Sequence, residues 1–249
     1  MAARARRRDA ELLLGLIQGP AELLPVSSSG HVAAARALWG LEGDEVALHA
    51  GSLAALVLGC RGEAFAILRR LTWRRVGMHG LAGGIPAVAG FALERREASL
   101  PVVPGLLAGS VLLLAAEGFP KATGGLSLPR GGGRARWDAG LADGAWLGLA
   151  QAAALWPGVS RNGATLAAAR WRGFARGEAN PLSREVGVPV TLGAVLLRRG
   201  GLTTGTAAAF ASALAALPLL RVVDRGGPLW PWALERAGLA LVLLRESRR

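Results

Sequence analysis

Two stretches of this chain are versions of one another, and each is apolar sequence broken by proline. Residues 15–36 read GLIQGPAELLPVSSSGHVAAAR, and residues 148–169 read GLAQAAALWPGVSRNGATLAAA. Shifted by 133 positions without a gap, Gly15 meets Gly148, Gln18 meets Gln151, Ser27 meets Ser160 and Gly30 meets Gly163. Proline inside a helix removes a backbone donor and clashes with the preceding turn, so neither stretch is expected to be one straight helix. Two half-helices meeting at a small polar turn fit better, and in lipid such a break must face a cavity or a ligand because its freed N–H groups cannot face hydrocarbon.

The two copies carry different chemistry. The first holds Glu22 and His31; the second holds Arg161 where the first has Ser28. Ser27-Ser28-Ser29-Gly30 and Ser160-Arg161-Asn162-Gly163 both read as helix N-termini, with Ser27 as a cap. Helix N-termini favour anions, phosphate above all. Gln18 and Glu22 are four apart and share a helical face, as do Arg161 and Thr165, while Ser28 and His31 are three apart. If the copies face each other, these faces converge on a split anion site. Ionisable residues inside apolar sequence are functional candidates by default. His49 and His79 have no comparable setting and receive no role, and Glu235 and Arg236 are expected to pair with each other or with the bundle interior.

The remaining chain reads as membrane scaffold. It is 52% hydrophobic, contains 36 glycines and lacks tyrosine, and glycine and proline are more frequent in membrane helices than in soluble ones. The net charge of +12 lies in short basic clusters between apolar runs rather than along one face, so no nucleic-acid partner is expected. Cys60 is the lone cysteine, which excludes an intrachain disulfide and a cysteine metal cluster. The basic, then apolar, N-terminus mimics a signal peptide but runs into the repeated motif, and is expected to be mature protein.

The expected organisation is a single transmembrane domain over residues 1–249. A frayed basic tail covers 1–11, a first half about 12–116 is interrupted at Pro20 and Pro25, a loop spans 120–138, and a second half covers about 139–244. Apolar runs at 46–60, 76–93, 101–116, 186–197, 202–220 and 229–244 give about eight to ten helical pieces on the ~20-residue criterion. Tryptophans near run ends suit interfacial anchors, and basic residues flank most runs on both sides, leaving orientation open. Repeats with broken helices in both halves point to a binding site where the halves meet.

QGPAELLPVSSSGH and ALWPGVSRNGAT resemble the two signature segments of the undecaprenyl-diphosphate phosphatase family, the bacitracin-resistance type of bacterial membrane enzyme. HAGSLAALVLGCR, GGIPAVAGF and LWPWALER are similar to further parts of that family. The resemblance implies an all-α, polytopic integral membrane protein with inverted repeats and two re-entrant, broken helix pairs. It implies removal of the terminal phosphate from a C55 polyprenyl diphosphate, in the bacterial inner membrane with the site toward the outer face, and it allows a homodimer. It implies a divalent cation, magnesium or calcium, held by Glu22 and Gln18. Glu22, Ser28, His31 and Arg161 fall where the family places catalytic residues, and Ser27, Ser29, Ser160, Asn162 and Thr165 line the phosphate site. Gln18 stands where family members often have Glu, and NPLSREV replaces a Phe-Ser-Phe-rich segment.

On this reading Arg161 forks onto phosphate oxygens, His31 is general base or acid, and Ser28 is either the nucleophile, activated by His31 one turn away, or a phosphate donor. A carrier for polyprenyl phosphate would also use a broken-helix site between repeats. A non-catalytic lipid-diphosphate binder is the third alternative.

Overall fold

The computed structural model describes residues 2–96, 100–122, 133–198 and 201–248. They form eleven α-helices and no strand: α1 Ala2–Leu23, α2 Ser28–Trp39, α3 Glu45–Gly59, α4 Arg61–Arg69, α5 Trp73–Arg95, α6 Val102–Ala122, α7 Leu141–Ala153, α8 Arg161–Trp171, α9 Arg176–Arg198, α10 Thr204–Asp224 and α11 Trp230–Glu246. A short 3-10 turn, Arg136–Asp138, precedes α7.

Side chains set the helix starts. Asp44 accepts from the N–H groups of Val46 and Ala47, Thr72 from Arg75, and Thr203 from Thr206. Each satisfies orphan donors that a helix N-terminus leaves open. Gly40, in the left-handed region at φ 61°, ends α2 by donating to Arg36 O.

Small residues bring the helices together. A Cβ added at Gly15 of α1 would lie 2.4 Å from Gly205 O of α10, and one at Gly19 would lie 2.1 Å from Ser212 Oγ. α7 uses the same device against α5, where a Cβ at Gly148 would lie 2.6 Å from Leu81 O and one at Gly144 2.4 Å from Met78 O. Backbones approach this closely only where side chains are missing, as in membrane helix pairs. Gly15 and Gly148 are repeat-matched positions, so α1 and α7 present the same face to their partners.

Large apolar side chains cover much of the outside: Leu12, Leu13 and Leu16 on α1, Val88 and Phe91 on α5, Val111 and Leu114 on α6, Leu219 and Val222 on α10, and Leu234 and Leu241 on α11. That much exposed hydrocarbon belongs against lipid. By length and composition, Trp73–Arg95 and Thr204–Asp224 can each cross a membrane, as can the pair α3–α4 taken as one span bent by 68°. Val102–Glu117 is apolar but shorter.

Several expectations need correction. Residues 2–11 are not a frayed tail but the first turns of α1, where Ala10 and Glu11 are buried and Thr204 donates to Glu11 Oε2 at 2.9 Å. Pro20 does not interrupt the helix. It lies inside α1, which packs along α10 while Ser212 donates to Gly15 O at 3.0 Å, and neighbouring helices with their hydroxyls make an interior proline tolerable. The first break therefore falls at residues 24–27. The basic stretch 61–69 is helix α4. The run expected from Val186 starts ten residues earlier, because NPLSREV lies within α9 and contributes buried Asn180, Ser183, Arg184 and Glu185. Ten of the positions expected as loop, 123–132, lie outside the described residues; α6 reaches Ala122, and Arg134 at the far side is clamped by Asp143 at 2.9 and 2.7 Å.

Several buried charges beyond the repeats are partnered across helices. Arg184 of α9 bridges Asp224 of α10 and Glu63 of α4 at 2.7 and 2.9 Å. Arg75 and His79 of α5 both meet Glu185 of α9, His79 at 3.0 Å. Arg70, Arg75 and Arg136 stack on Trp137, which ties the turn before α7 to the start of α5.

Candidate active site between the two broken segments

The breaks α1–α2 and α7–α8 lie against each other. Ser27 caps α2 by accepting from Gly30 N–H at 3.2 Å, and Ser160 caps α8 by accepting from Gly163 N–H at 3.3 Å. The repeat-matched serines thus perform the same local task. Four contacts then join the breaks: Ser160 Oγ donates to Val26 O at 2.6 Å, Gly158 N–H to Ser29 Oγ at 3.0 Å, Asn162 Nδ2 to Leu23 O at 3.2 Å, and Arg161 Nη2 to Glu22 Oε1 at 2.6 Å. Backbone groups freed by each break are satisfied largely by the other.

Arg236 of α11 completes the junction. It is fully buried and donates to Pro25 O at 2.7 Å and Val159 O at 3.1 Å, one carbonyl from each break. The guanidinium fills the space beside Gly163, where an added Cβ would lie 2.1 Å from Nη2. Glu235 and Arg236 were expected to pair with each other or with the interior. Arg236 takes the interior, while Glu235 turns to His31.

Glu22 is the centre of the site. Its carboxylate is 8% exposed. Besides Arg161 on Oε1, Oε2 accepts from Gln18 Nε2 and Ser28 Oγ, both at 3.2 Å, and meets His49 Nδ1 at 3.2 Å. Arg161 spends one N–H on Glu22, and its other donors have no partner among the described residues. A guanidinium held at one end with open donors at the other is suited to forking onto phosphate oxygens. A small cavity lies alongside, lined by Glu22, Arg161, Asn162, Ser183 and Arg184 with Leu23, Leu56 and Val188.

The second copy is braced from behind by α9. Ser183 bonds Thr165 Oγ1 and donates to Asn162 Oδ1 at 2.8 Å, and Thr165 donates to Arg161 O at 2.8 Å. Thr165 is fully buried, so its hydroxyl serves the helix and not an open surface. The NPLSREV segment therefore lies directly behind the site.

One expected pairing is absent. Ser28 and His31 do not bond each other: Ser28 turns to Glu22, while His31 points Nδ1 at Ser27 O, 2.8 Å away, and Nε2 at Glu235, 3.2 Å away. Spacing of three allowed the pair, but each side chain finds a charged partner on another element. Three residues at the site received no functional role from the sequence. His49 lies on Glu22 and Gln18; its signal was an ionisable side chain inside the apolar run VALHAGSL, the same signal that picked out Glu22. Glu235 carried that signal too. Ser183 carried none.

Fit to a cation can be judged from the donors present. Among the described residues no three His, Cys, Asp or Glu gather in one place. The oxygens at hand are the Glu22 carboxylate, the Ser28 hydroxyl and, after one turn of its amide, the Gln18 carbonyl. These are hard donors of the kind magnesium and calcium take, and magnesium commonly uses one or two carboxylates and completes its shell with water and substrate phosphate.

Comparison with known proteins gives the family. A profile of the family described as bacitracin resistance protein BacA matches residues 11–242. The chain belongs to the BacA family. Three BacA-like relatives are each named undecaprenyl-diphosphatase. That of Ruegeria pomeroyi is 35% identical, covering 94% of this chain and 96% of the relative. That of Idiomarina loihiensis is 31% identical over 93% and 96%, and that of Geobacter metallireducens 32% identical over 94% and 97%. The BacA match spans both broken segments and extends to α11, which supplies Glu235 and Arg236.

Proposed function

We propose that this chain is a membrane undecaprenyl-diphosphatase, hydrolysing undecaprenyl diphosphate to undecaprenyl phosphate and inorganic phosphate. The observation that carries the reading is the 2.6 Å contact between Glu22 and Arg161, one from each broken segment, at the junction of two capped helix N-termini. Relatives bearing that enzyme's name over nearly the whole chain supply the substrate.

Phosphoryl transfer asks for positioning and charge stabilisation more than covalent chemistry. Arg161 binds the terminal phosphate through its open donors. The N-termini of α2 and α8 add backbone N–H groups and their dipoles, and Ser27, Ser29, Ser160 and Asn162 fix the two breaks that aim them. Ser28 Oγ, held by Glu22, attacks the terminal phosphorus. Its proton passes to Glu22, the bridging P–O bond breaks and the lipid monophosphate leaves. Water then hydrolyses the Ser28 phosphoester, releasing phosphate and restoring the hydroxyl. A divalent cation held by Glu22 and Gln18 would neutralise charge on the diphosphate and polarise its oxygens. Thr165 steadies Arg161 through the α8 backbone.

The repeat reading extends to the fold. α1 packs on α10 while α7 packs on α5, and α3 and α9, α5 and α10, and α6 and α11 occupy matching places after the 133-residue shift. This partner exchange supports one domain of two inverted halves, about 12–116 and 139–244, with α1–α2 and α7–α8 as re-entrant pairs. The exposed apolar surface supports a multi-pass membrane protein, and the family resemblance is what suggests the bacterial inner membrane with the site toward the outer face. A homodimer is compatible with this arrangement.

The test is phosphate release from undecaprenyl diphosphate by purified protein in detergent, with and without a chelator. Release that stops in Arg161→Ala supports the reading. Lipid movement in vesicles without any release makes the chain a carrier, and binding without either makes it a lipid-diphosphate binder.

A further inference from the structure

His31 occupies an unusual pocket. Its Nδ1 lies 2.8 Å from Ser27 O, a carbonyl, which can only accept. Nδ1 therefore carries a hydrogen. Its Nε2 lies 3.2 Å from Glu235 Oε1, and an ionised carboxylate likewise only accepts. Both ring nitrogens thus face acceptors. The contact is favourable only if one further proton lies between Nε2 and Oε1. Glu235 strengthens the requirement, because its Oε2 is buried with no hydrogen-bond partner among the described residues, and a bare buried carboxylate is costly unless a cation or proton compensates it.

The neighbouring charges do not fill that role. Arg236, next in sequence, spends Nη1 on Val159 O and Nη2 on Pro25 O. From α1, Glu22 faces Arg161, His49, Ser28 and Gln18. On the described side-chain portion of α6, the ionisable Glu117 pairs with Arg176 and accepts from Leu229 N–H. Arg36, on α2 with His31, pairs with Glu45. Each of the His31 and Glu235 side chains is 30% exposed, so the pair is braced on one side and open on the other.

We propose that Glu235 is a positioning residue that holds a dissociable proton on His31, making His31 the general acid of the reaction and not the base that activates Ser28. The inference rests on the diphosphatase reading above and assigns its second proton. The structure already gives Ser28 to Glu22, which leaves His31 available for the other end of the transfer. As the bridging P–O bond breaks, the proton on Nε2 passes to the departing oxygen of the lipid monophosphate, and the His31–Glu235 pair takes a proton back from water.

Two measurements on the full-length protein test it. The first is the pH profile of phosphate release for wild type and Glu235→Gln, with thermal melting of each. An acid that must be protonated gives a rate that falls as pH rises. Neutralising the carboxylate that faces Nε2 removes what holds the proton, so this basic limb moves to lower pH. Near the wild-type limb this is about a tenfold loss, while the rate at the acid end of the profile is retained. A uniform loss at every pH, or a shift of the acidic limb alone, overturns the proposal. The second needs no activity. NMR of protein labelled with 15N-histidine and 13C-glutamate reads His31 and Glu235 directly at neutral pH. A protonated Nε2 is expected; a bare Nε2 overturns the proposal even if Glu235→Gln does not fold. Wild type without phosphate release would instead refute the diphosphatase reading and leave the NMR result to decide the proton.

Discussion

The two broken segments share a design but not a backbone. Ser27 caps α2 in extended conformation at φ −103°, whereas Ser160 caps α8 at φ 63°, the only positive φ of a non-glycine among the described residues. The first break holds Pro25 and has no positive φ. The second turns through Gly158, whose φ is 96° and where a Cβ would lie 2.4 Å from Val102 O of α6. It thus has to squeeze past a neighbouring helix before Ser160 can reach Val26 O. Positive φ costs a serine on the order of 1–3 kcal/mol and persists where the surroundings over-determine it. The comparison teaches that a cap can be repeated while the load is not. The acidic copy has no positive φ, whereas the cationic copy is strained and braced by α6 and α9, and Arg236 holds one carbonyl of each.

Substitutions at the charge pair should break the comparison most severely. Arg161→Ala and Glu22→Ala should each lower phosphate release by about 100-fold or more, the scale of losing one preorganised charge-stabilising group. Arg161→Lys should recover little, because a lysine cannot bond Glu22 and fork onto phosphate together. A release assay with a folded-state check decides this, and near wild-type turnover in either alanine variant removes that residue from the mechanism.

Next comes the bracing of the junction. Arg236→Met leaves Val159 O and Pro25 O without their donor, so a loss of about 1–3 kcal/mol in unfolding free energy is expected for each stranded buried group. Equilibrium unfolding in mild detergent measures it, and an unchanged midpoint means the breaks hold without Arg236. Gly163→Ala drives a methyl into the same guanidinium and should destabilise in parallel.

The caps sharpen the comparison. Replacing a cap by glycine costs only a few tenths of a kcal/mol, but at Ser160 it also releases the strained φ. Ser160→Gly should therefore be better tolerated than Ser27→Gly by about 1 kcal/mol, less whatever the lost bond to Val26 O contributes. Equal costs at the two sites would mean that the positive φ carries no strain. The smallest effect is expected from Ser183→Ala, about 1 kcal/mol for its buried hydroxyl together with a modest fall in turnover, read from the same melts and assays.

Much of this site was legible because its parts are local. The i, i+4 spacing of Gln18 and Glu22, the serine caps and the placement of Arg161 follow from helix periodicity and from proline within apolar sequence. The helical character of the chain was legible for the same reason. The misses come from contacts between distant segments. Pro20 reads as a break until α10 lies along α1, and the start of the chain reads as frayed until Thr204 meets Glu11. Ser28 and His31 satisfy the spacing rule, yet Glu22 and Glu235 compete for them and win. His49 and Glu235 differ from Glu22 in lacking a repeated motif to draw notice, not in their physics.

The central claim is that the two breaks act on one diphosphate as a unit, and a double-mutant cycle in phosphate release tests it most directly. With Glu22→Gln, Arg161→Lys and the double variant, the account predicts strong non-additivity: the double should be little slower than the slower single, because either change alone dismantles the shared site. Rate losses that simply multiply would show two independent sites and contradict the account.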